Sequence, residues 1–390
     1  MSDLETFRSQ TRDWLGANCP AAMREDVNSD KDVCWGGKNW TFQSDDQKLW
    51  LERMAAKGWT VPTWTVEHGG AGLSRAQEQV LRQEMKRINA RPPLSSFGVW
   101  MLGPALLKFG SDAQKLHYLP PIARGEVRWC QGYSEPSAGS DLASLATKCE
   151  DKGDYYLVNG QKVWTSYADK ADWIFCLVRT DNSKTKHYGI SFLLFDMTTQ
   201  GVEAKPITLI SGNSPFCETF FTDVKVPKKN IVGEEGDGWN IAKYLLTHER
   251  EMIGEAGISR PVSELAVDMM GLENGQLPDP ILRGQIAQCE VDDWAFKMTM
   301  ARMLSEAKAG MSLGAKSSML KYYGTELNKR RAELLMDAAG GDGLEWEGAR
   351  SNDGNQARGW MRTKGNSIEG GTSEVMLNIV AKHVLKLPGA

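Results

Sequence analysis

Trp129-Cys130-Gln131-Gly132-Tyr133-Ser134-Glu135-Pro136-Ser137-Ala138-Gly139-Ser140-Asp141-Leu142 decides how the rest of this 390-residue chain is read. It is a strand end running into a loop of small and polar residues. Backbone without bulky side chains can approach a planar ligand closely, and the hydroxyls can hydrogen-bond it. Alone, the stretch would read better as a glycine- and serine-rich surface turn. Its flanks give it meaning.

Downstream, Tyr155 to Val158 and Gln161 to Trp164 flank Asn159-Gly160, the pattern of a hairpin with a two-residue turn. Trp173 to Val178, Gly189 to Phe195, Val202 to Ile207 and Glu218 to Val226 predict further strands. They leave no room for crossover helices, so the sheet should be largely antiparallel. Upstream the text is helical. Leu4, Phe7, Thr11, Trp14 and Leu15 share one face, and Leu49, Leu51, Met54 and Ala55 predict a second helix ending near Gly58. Ser74 is placed to cap a third through Glu84, after which Arg91-Pro92-Pro93 interrupts helix. Met101 to Phe109 and Gln114 to Leu119 resume it. From Trp239 to Leu387 the chain is helical again, punctuated by Gly340-Gly341 and Gly370-Gly371. Helices, then strands, then helices predict an α+β fold. Its parts are an N-terminal helical domain (1–127), a central antiparallel β-domain (128–235) and a C-terminal helical bundle (236–390).

Composition narrows the function. A 41% hydrophobic and 25% charged chain is an ordinary globular one, and a net charge of -4 gives no reason to expect nucleic acid binding. No apolar run reaches membrane-span length and the start carries no leader pattern, so a cytoplasmic protein is expected. The seven cysteines are odd in number and lack a CxxC pair or metal-ligand spacing. They read as reduced, buried thiols, with no metal implied. The 14 Trp and 17 Met read mostly as packing residues.

Four motifs occur in order. They are the Trp129–Leu142 stretch, Asn159-Gly160-Gln161-Lys162-Val163-Trp164-Thr165-Ser166, Gly233-Glu234-Glu235-Gly236-Asp237-Gly238-Trp239, and Gly370-Gly371-Thr372-Ser373-Glu374. As an ordered set they resemble the acyl-CoA dehydrogenase family through nearly the whole chain. The Arg91-Pro92-Pro93 region, Trp129–Pro136 and Leu246-Thr247-His248-Glu249-Arg250 are most similar to the large subunit of pimeloyl-CoA dehydrogenases. The resemblance implies an acyl-CoA dehydrogenase-like fold with FAD as cofactor. It implies that Gln131, Tyr133 and Ser134 lie along the flavin, with Ser134 at its pyrimidine edge. Trp164 would stack near the ring, Ser166 would contact N5, and Ser140 would face the acyl-CoA chain. Thr372 and Glu374 would bind the cofactor from the C-terminal helices. The family's usual Trp-Ile-Thr-Asn-Gly becomes Trp164-Thr165-Ser166-Tyr167-Ala168 here, which keeps a hydroxyl but changes its surroundings.

The chemistry implied is α-proton removal by a carboxylate while the β-hydrogen leaves as hydride to flavin N5. Hydrogen bonds to the thioester carbonyl stabilise the enolate charge as it develops. Many family members place the base in a Tyr-Glu-Gly-Thr pattern near the C-terminus. Aligned on Gly371-Thr372-Ser373, that position is Gly370, whose backbone N–H could still bind the thioester carbonyl, and Glu369 falls one residue early. A one-residue shift turns a side chain well away. A second arrangement, seen in the isovaleryl-CoA group, places the base as Glu-Arg on an earlier helix. Glu249 fits that slot as the base, with Arg250 bracing the site. Glu249 can also be read as one of a solvated cluster with Glu251 and Glu255.

Two departures bear on assembly. The family's Arg-x-x-Phe-Gly segment, whose arginine reaches the FAD pyrophosphate of a neighbouring subunit, has no clear match in Glu273–Arg283. The Gln-x-x-Gly-Gly segment becomes Asp337-Ala338-Ala339-Gly340-Gly341, acidic where an amide would contact nucleotide. The expected partners are an acyl-CoA substrate and an electron-transfer flavoprotein. The assembly is either a homo-oligomer (dimer or tetramer) or a heteromer with a second family member that completes the nucleotide site. Two rival activities stay open: an acyl-CoA oxidase and a supporting subunit of a heteromeric dehydrogenase. The acyl group implied is dicarboxylyl or ring-derived, and Arg91 and Arg250 are candidates by charge alone for holding a carboxylate.

Overall fold

The computed structural model describes residues 3–27, 32–184, 186–255, 260–308, 314–351 and 353–388, with only the backbone described for 247–255, 304, 307 and 308. It divides into two compact units, Met1–Ile207 with Pro215–Leu245, and Thr208–Ser214 with Leu246–Ala390.

The first unit opens with helices α1 (Asp3–Asn18), α2 (Asp45–Ala56), α3 (Arg75–Arg87), α4 (Gly103–Phe109) and α5 (Asp112–Ala123). Serines start three of them. Ser44, Ser74 and Ser111 each accept a hydrogen bond from a backbone N–H of the first turn, and Ser74 and Ser111 form reciprocal capping boxes with Gln77 and Gln114. Leu15, Trp50, Met54, Trp59 and Leu81 bury their apolar faces together. Burying side chains of this size contributes about 1.5–3 kcal/mol each. Glu84, on the same helix as Leu81, is buried among Arg8, Arg12 and Arg87, with contacts of 2.7–3.2 Å. Their guanidinium groups, Arg12 first, bring its carboxyl down to about 2.

Among the described residues eight strands follow: β1 (Trp129–Gly132), β2 (Lys148–Asp151), β3 (Tyr155–Ser166), β4 (Trp173–Arg179), β5 (Ile190–Asp196), β6 (Val202–Ile207), β7 (Phe216–Pro227) and β8 (Ile231–Val232). They make one sheet in the order β6-β7-β3-β2-β4-β5-β8, with β1 added on β4. β1 and β2 run parallel to β4, and the other pairs are antiparallel. Ile174–Arg179 and Ile190–Phe195 are buried at every position, so both faces of β4 and β5 are covered. On one side, residues of these strands meet Tyr156, Val158, Phe221, Val224 and Val226 from β3 and β7.

The expected hairpin at Asn159-Gly160 does not form: β3 runs unbroken through both residues. The Asn159 amide is committed across the sheet, donating to Asp223 Oδ1 at 3.0 Å and accepting the Asp223 N–H at 2.9 Å. Asp223 is an extra, left-handed residue on β7, so the pair marks a bulge. Glycine follows because a Cβ at residue 160 would lie 2.7 Å from Thr147 Oγ1. All seven cysteines are free and buried.

The second unit contains α6 from Leu246 onward (the helix as a whole is Gly238–Glu255), then α7 (Val262–Met270), α8 (Pro280–Lys308), α9 (Ser317–Gly343), α10 (Asn355–Thr363) and α11 (Ser373–Ile379). Val262, Ala266, Leu282, Ile286, Leu334 and Ala338 form its core between α7, α8 and α9. Arg330 on α9 holds Asp292 on α8 at 2.7 Å. Gly340 kinks α9 near its end. Among the described residues no helix is long and apolar enough to cross a membrane.

Candidate active site

The Trp129–Leu142 stretch enters the sheet as β1 and leaves it at Tyr133. Two bonds set its exit beside β3: Val163 N–H donates to the Ser134 carbonyl at 2.9 Å, and Lys162 Nζ donates to the Tyr133 carbonyl at 3.1 Å. Gln131–Ser134 and Trp164–Ser166 are thereby brought together within the first unit, as the two sequence motifs imply.

The joint has a buried ion pair at its centre. Glu135, only 8% exposed, accepts from Lys162 Nζ at 2.8 Å, Thr147 Oγ1 at 2.6 Å, and the Thr147 and Ala146 N–H groups at 2.9 and 2.6 Å. Burial alone would raise its pKa. The Lys162 charge and these donors outweigh burial and hold the carboxyl below its ordinary value. Arg179 closes the same loop from the other side, donating to the Ala143 carbonyl at 2.7 Å and the Leu145 carbonyl at 3.2 Å. Ser140 is left at the exposed tip, one residue before Asp141, which Lys186 Nζ holds at 2.6 Å. Sequence reasoning missed Glu135 and Lys162 although both lie inside the quoted motifs. The available signal was a charged residue within each strand-like run, since buried charges survive in pairs.

Trp164 is where the structure adds most. Between Lys162↔Thr219 and Thr165↔Cys217, β3 carries one residue more than β7, a bulge that falls on Val163-Trp164. Trp164 has φ 61 and is 55% exposed, with one edge-on contact to Phe216 at 6.0 Å. A bulky residue in left-handed backbone is strained, and a bulge re-aims its side chain. Plain core packing does not describe it. Tyr167, three residues on, has φ 52 and donates its N–H to the Pro215 carbonyl at 2.8 Å.

The side chains of Gln131, Ser134 and Ser166 are half-buried and make no hydrogen bond within the described residues. Tyr133 is buried and its ring meets Phe175 edge-on at 6.2 Å. An exposed indole beside three uncommitted polar side chains fits a planar heteroaromatic group with polar edges, as isoalloxazine is.

In the second unit, Gly370 and Gly371 have φ 65 and 100. Thr372 caps α11, accepting the Val375 N–H at 3.2 Å. Its hydroxyl and the first-turn backbone N–H also lower the pKa of the exposed Glu374 carboxyl, the backbone bond first. Glu369 is exposed and held by Arg362 at 2.8 Å and Asn366 Nδ2 at 2.6 Å. The side chains of Glu249 and Arg250 lie outside the described residues. Arg91 is removed as a carboxylate receptor: its guanidinium is already taken by Asp32 at 3.0 Å and the Glu25 and Asp26 carbonyls at 2.9 and 2.8 Å.

Family models for the acyl-CoA dehydrogenase N-terminal, middle and C-terminal domains match residues 3–126, 130–224 and 236–385. Acyl-CoA dehydrogenase IpdE1 of Mycobacterium tuberculosis is 34% identical over 397 residues, covering 100% of this chain and 99% of the relative. The chain belongs to the acyl-CoA dehydrogenase family. Among solved structures, "Tcur3481-Tcur3483 steroid ACAD" superposes with a TM-score of 0.79 at 29% identity, covering 100% of this chain and 99% of that one. The ChsE4-ChsE5 complex from Mycobacterium tuberculosis gives 0.76 at 28%, again over 100% and 99%. The fold is that of the family, helical, then a largely antiparallel sheet, then helical, and the chain is an FAD-dependent acyl-CoA dehydrogenase, an oxidoreductase.

Proposed function

We propose that Gln131, Tyr133, Ser134, Trp164 and Ser166 hold the flavin and that Glu249 removes the α-proton of an acyl-CoA thioester. The observation that carries the flavin assignment is the exposed, strained Trp164 beside the uncommitted side chains of Gln131, Ser134 and Ser166. Ser134 would bind the pyrimidine edge, Ser166 would donate toward N5, and Ser140 would meet the acyl-CoA chain. FAD, when bound, accepts the β-hydrogen as hydride at N5, which leaves an α,β-unsaturated thioester. The Glu249 carboxylate takes the α-proton, and the Gly370 N–H hydrogen-bonds the thioester carbonyl, where enolate charge develops. Arg250 braces the carboxylate, and Thr372 and Glu374 contact the cofactor from α11. Glu369 is a poor rival as base because Arg362 and Asn366 already hold its carboxylate.

Electrons would pass to an electron-transfer flavoprotein, in a soluble cytoplasmic setting. The substrate class supported by motif wording is a dicarboxylyl or ring-derived acyl-CoA. A second family member as partner is favoured by a cavity of about 620 Å³ in the second unit, at the end of α9. Asp279, Glu333 and Asp337 line it with Met336 and Trp360. Asp279 accepts the first N–H groups of α8, Lys364 pairs with Glu333 from beside Trp360, and among the described residues no lysine or arginine lines the cavity itself. Such a surface disfavours a pyrophosphate, so a differently charged partner would complete a nucleotide site. The named heteromers among the solved relatives agree with that reading.

The test is anaerobic mixing of the flavin-loaded protein with a panel of acyl-CoA esters, followed by an acceptor-linked assay. Substrate-dependent bleaching of the flavin is expected, with slow reoxidation in air. Rapid oxygen consumption would identify an oxidase instead. Size-exclusion of the chain expressed alone, with flavin counted per subunit, tests the partner: a stable homotetramer with full FAD would remove the need for one.

A further inference from the structure

Arg128, immediately before β1, is a buried cation whose guanidinium has no hydrogen-bond acceptor among the described residues. The residue is 4% exposed, and its guanidinium makes no hydrogen bond or ion pair among the described residues. Its backbone N–H donates to Asp172 Oδ2 at 2.8 Å, but that oxygen is also taken by the Lys38 N–H at 3.0 Å and faces backbone. Asp169 and Asp172 act on the guanidinium only through space, and burial prevails over their attraction, lowering its pKa. Two aromatic rings supply what contact there is. The guanidinium carbon lies 4.9 Å from the ring centres of both Trp35 and Tyr167, which are 5.1 Å apart. Cation–π contacts recover part of the desolvation cost of a buried charge, yet give its five N–H donors no acceptor among the described residues, and its nitrogens are not fully sealed from outside.

The surroundings say what those donors could meet. Tyr167 directly follows Ser166, so the ring that contacts the cation is carried one residue from a candidate flavin residue. From Tyr167 a run of half-buried rings continues through Trp35 to Phe97 at 5.8 Å and on to Trp100 at 4.6 Å. It is an apolar wall that ends in one positive fork. A planar guanidinium matches a carboxylate bidentately. The sequence departs from the family's Asn-Gly here to place Tyr167, and that departure gains a purpose if the ring holds Arg128 in position.

We propose that Arg128 receives a carboxylate carried on the acyl group, remote from the thioester, whose carbon chain or ring lies along the Tyr167–Trp35–Phe97–Trp100 wall. This rests on the dehydrogenase reading above and goes beyond it by naming the determinant of substrate choice. Neither Arg91 nor Arg250 is required for it.

The experiment uses matched pairs of CoA esters, equal in length and differing only in an ω-carboxyl or ω-methyl end, such as heptanedioyl-CoA and heptanoyl-CoA, with a ring-bearing pair alongside. They are offered to the flavin-loaded protein, coexpressed with its partner if one is needed. The wild type should prefer the carboxyl-ended member. In Arg128→Gln the ratio of kcat/KM between the two should fall about a hundredfold, mostly through KM, as expected when one side of a buried charge pair is removed. Arg128→Lys, which keeps charge but loses the fork, should restore part of the ratio. If Arg128→Gln fails to fold, Trp35→Leu leaves the cation but loosens it, and should move the same ratio in the same direction. A wild type that oxidises acyl-CoA esters without preferring carboxyl-ended ones overturns the proposal. So does a variant that weakens both members equally, or that loses FAD with its selectivity intact. A flavin-loaded protein that oxidises no acyl-CoA at all sinks the dehydrogenase reading itself, which is a different outcome.

Discussion

Lys162→Met tests whether the buried ion pair sets the flavin side of the site. The side chain is fully buried, and its ammonium serves Glu135 Oε1 at 2.8 Å and the Tyr133 carbonyl at 3.1 Å. Methionine fills nearly the same volume, so packing is largely kept and the change is electrostatic. Glu135 is then a buried carboxylate facing only neutral donors. Removing one partner of such a pair costs about 3–5 kcal/mol, or roughly 6–20 °C in melting temperature for a unit of this size. The pH dependence has a definite sign. In the wild type the Glu135 pKa is depressed, so its contribution is present above the ordinary carboxylate value and is lost as pH falls through the lowered one. In the variant the carboxyl gains by becoming protonated, so the gap to wild type should narrow as pH falls. Glu135→Gln in the Lys162→Met background removes the unpaired charge and keeps one acceptor oxygen, which serves the Thr147 donors or the Ala146 N–H but not both, so the double variant should regain about 1–3 kcal/mol. The measurements are thermal unfolding from pH 8 to 4 and visible flavin absorbance per chain, which should fall because the Tyr133 carbonyl loses its bond to Lys162, leaving the Val163–Ser134 backbone bond alone to hold the exit beside β3. A loss under about 1 kcal/mol, or strict additivity of the two substitutions, would refute the reasoning.

Glu249→Gln should keep FAD and acyl-CoA binding and lose turnover by roughly 10²–10⁴-fold, the usual contribution of a general base, whereas Glu369→Gln should stay near wild type; the reverse pattern in acceptor-linked assays would move the base to Glu369. Trp164→Asn places a residue that tolerates left-handed backbone where strain costs about 1–3 kcal/mol, against about 0.5–1.5 kcal/mol lost with the Phe216 contact. Apo-protein unfolding should therefore hardly move while flavin retention falls, and a variant that binds FAD as tightly as wild type would remove Trp164 from the site. Glu84→Gln should destabilise the N-terminal helices at neutral pH; because the wild-type carboxyl titrates at about 2, the difference in melting temperature should be full above about pH 5 and shrink toward pH 2.

The helical and strand segments were legible because periodicity and caps are local signals, and Ser74 caps its helix as the sequence implies. What was not legible depended on partners distant in sequence. Asn159-Gly160 has the composition of a turn, but Asp223, 64 residues away, takes the Asn159 amide and Thr147 packs where a Cβ would sit. A local rule gave way to a cross-strand contact. Trp164 was legible as a candidate, but not as strained, because the bulge exists only in the pairing of β3 with β7. Arg128 was invisible for the same reason: nothing in its neighbours along the chain announces that Trp35 and Tyr167 meet around it.

The architecture around Gly370 also bears on where the base can be. Lys321, buried on α9, donates to the Asn366 carbonyl at 3.0 Å and the Gly371 carbonyl at 2.6 Å. Lys329 donates to Ser367 Oγ at 2.6 Å and also holds Glu326, lowering that carboxyl. The segment is thus fixed by its own carbonyls at both ends, in left-handed backbone at 370 and 371, and a Cβ at Gly371 would meet Met376 Cε at 2.4 Å. A side chain at either position would work against that backbone. What the segment offers chemistry is a held N–H, suited to a carbonyl oxygen gaining charge, and no carboxylate. The proton must then go elsewhere. Glu369 is already held by Arg362 and Asn366, which is why we propose Glu249 as the base.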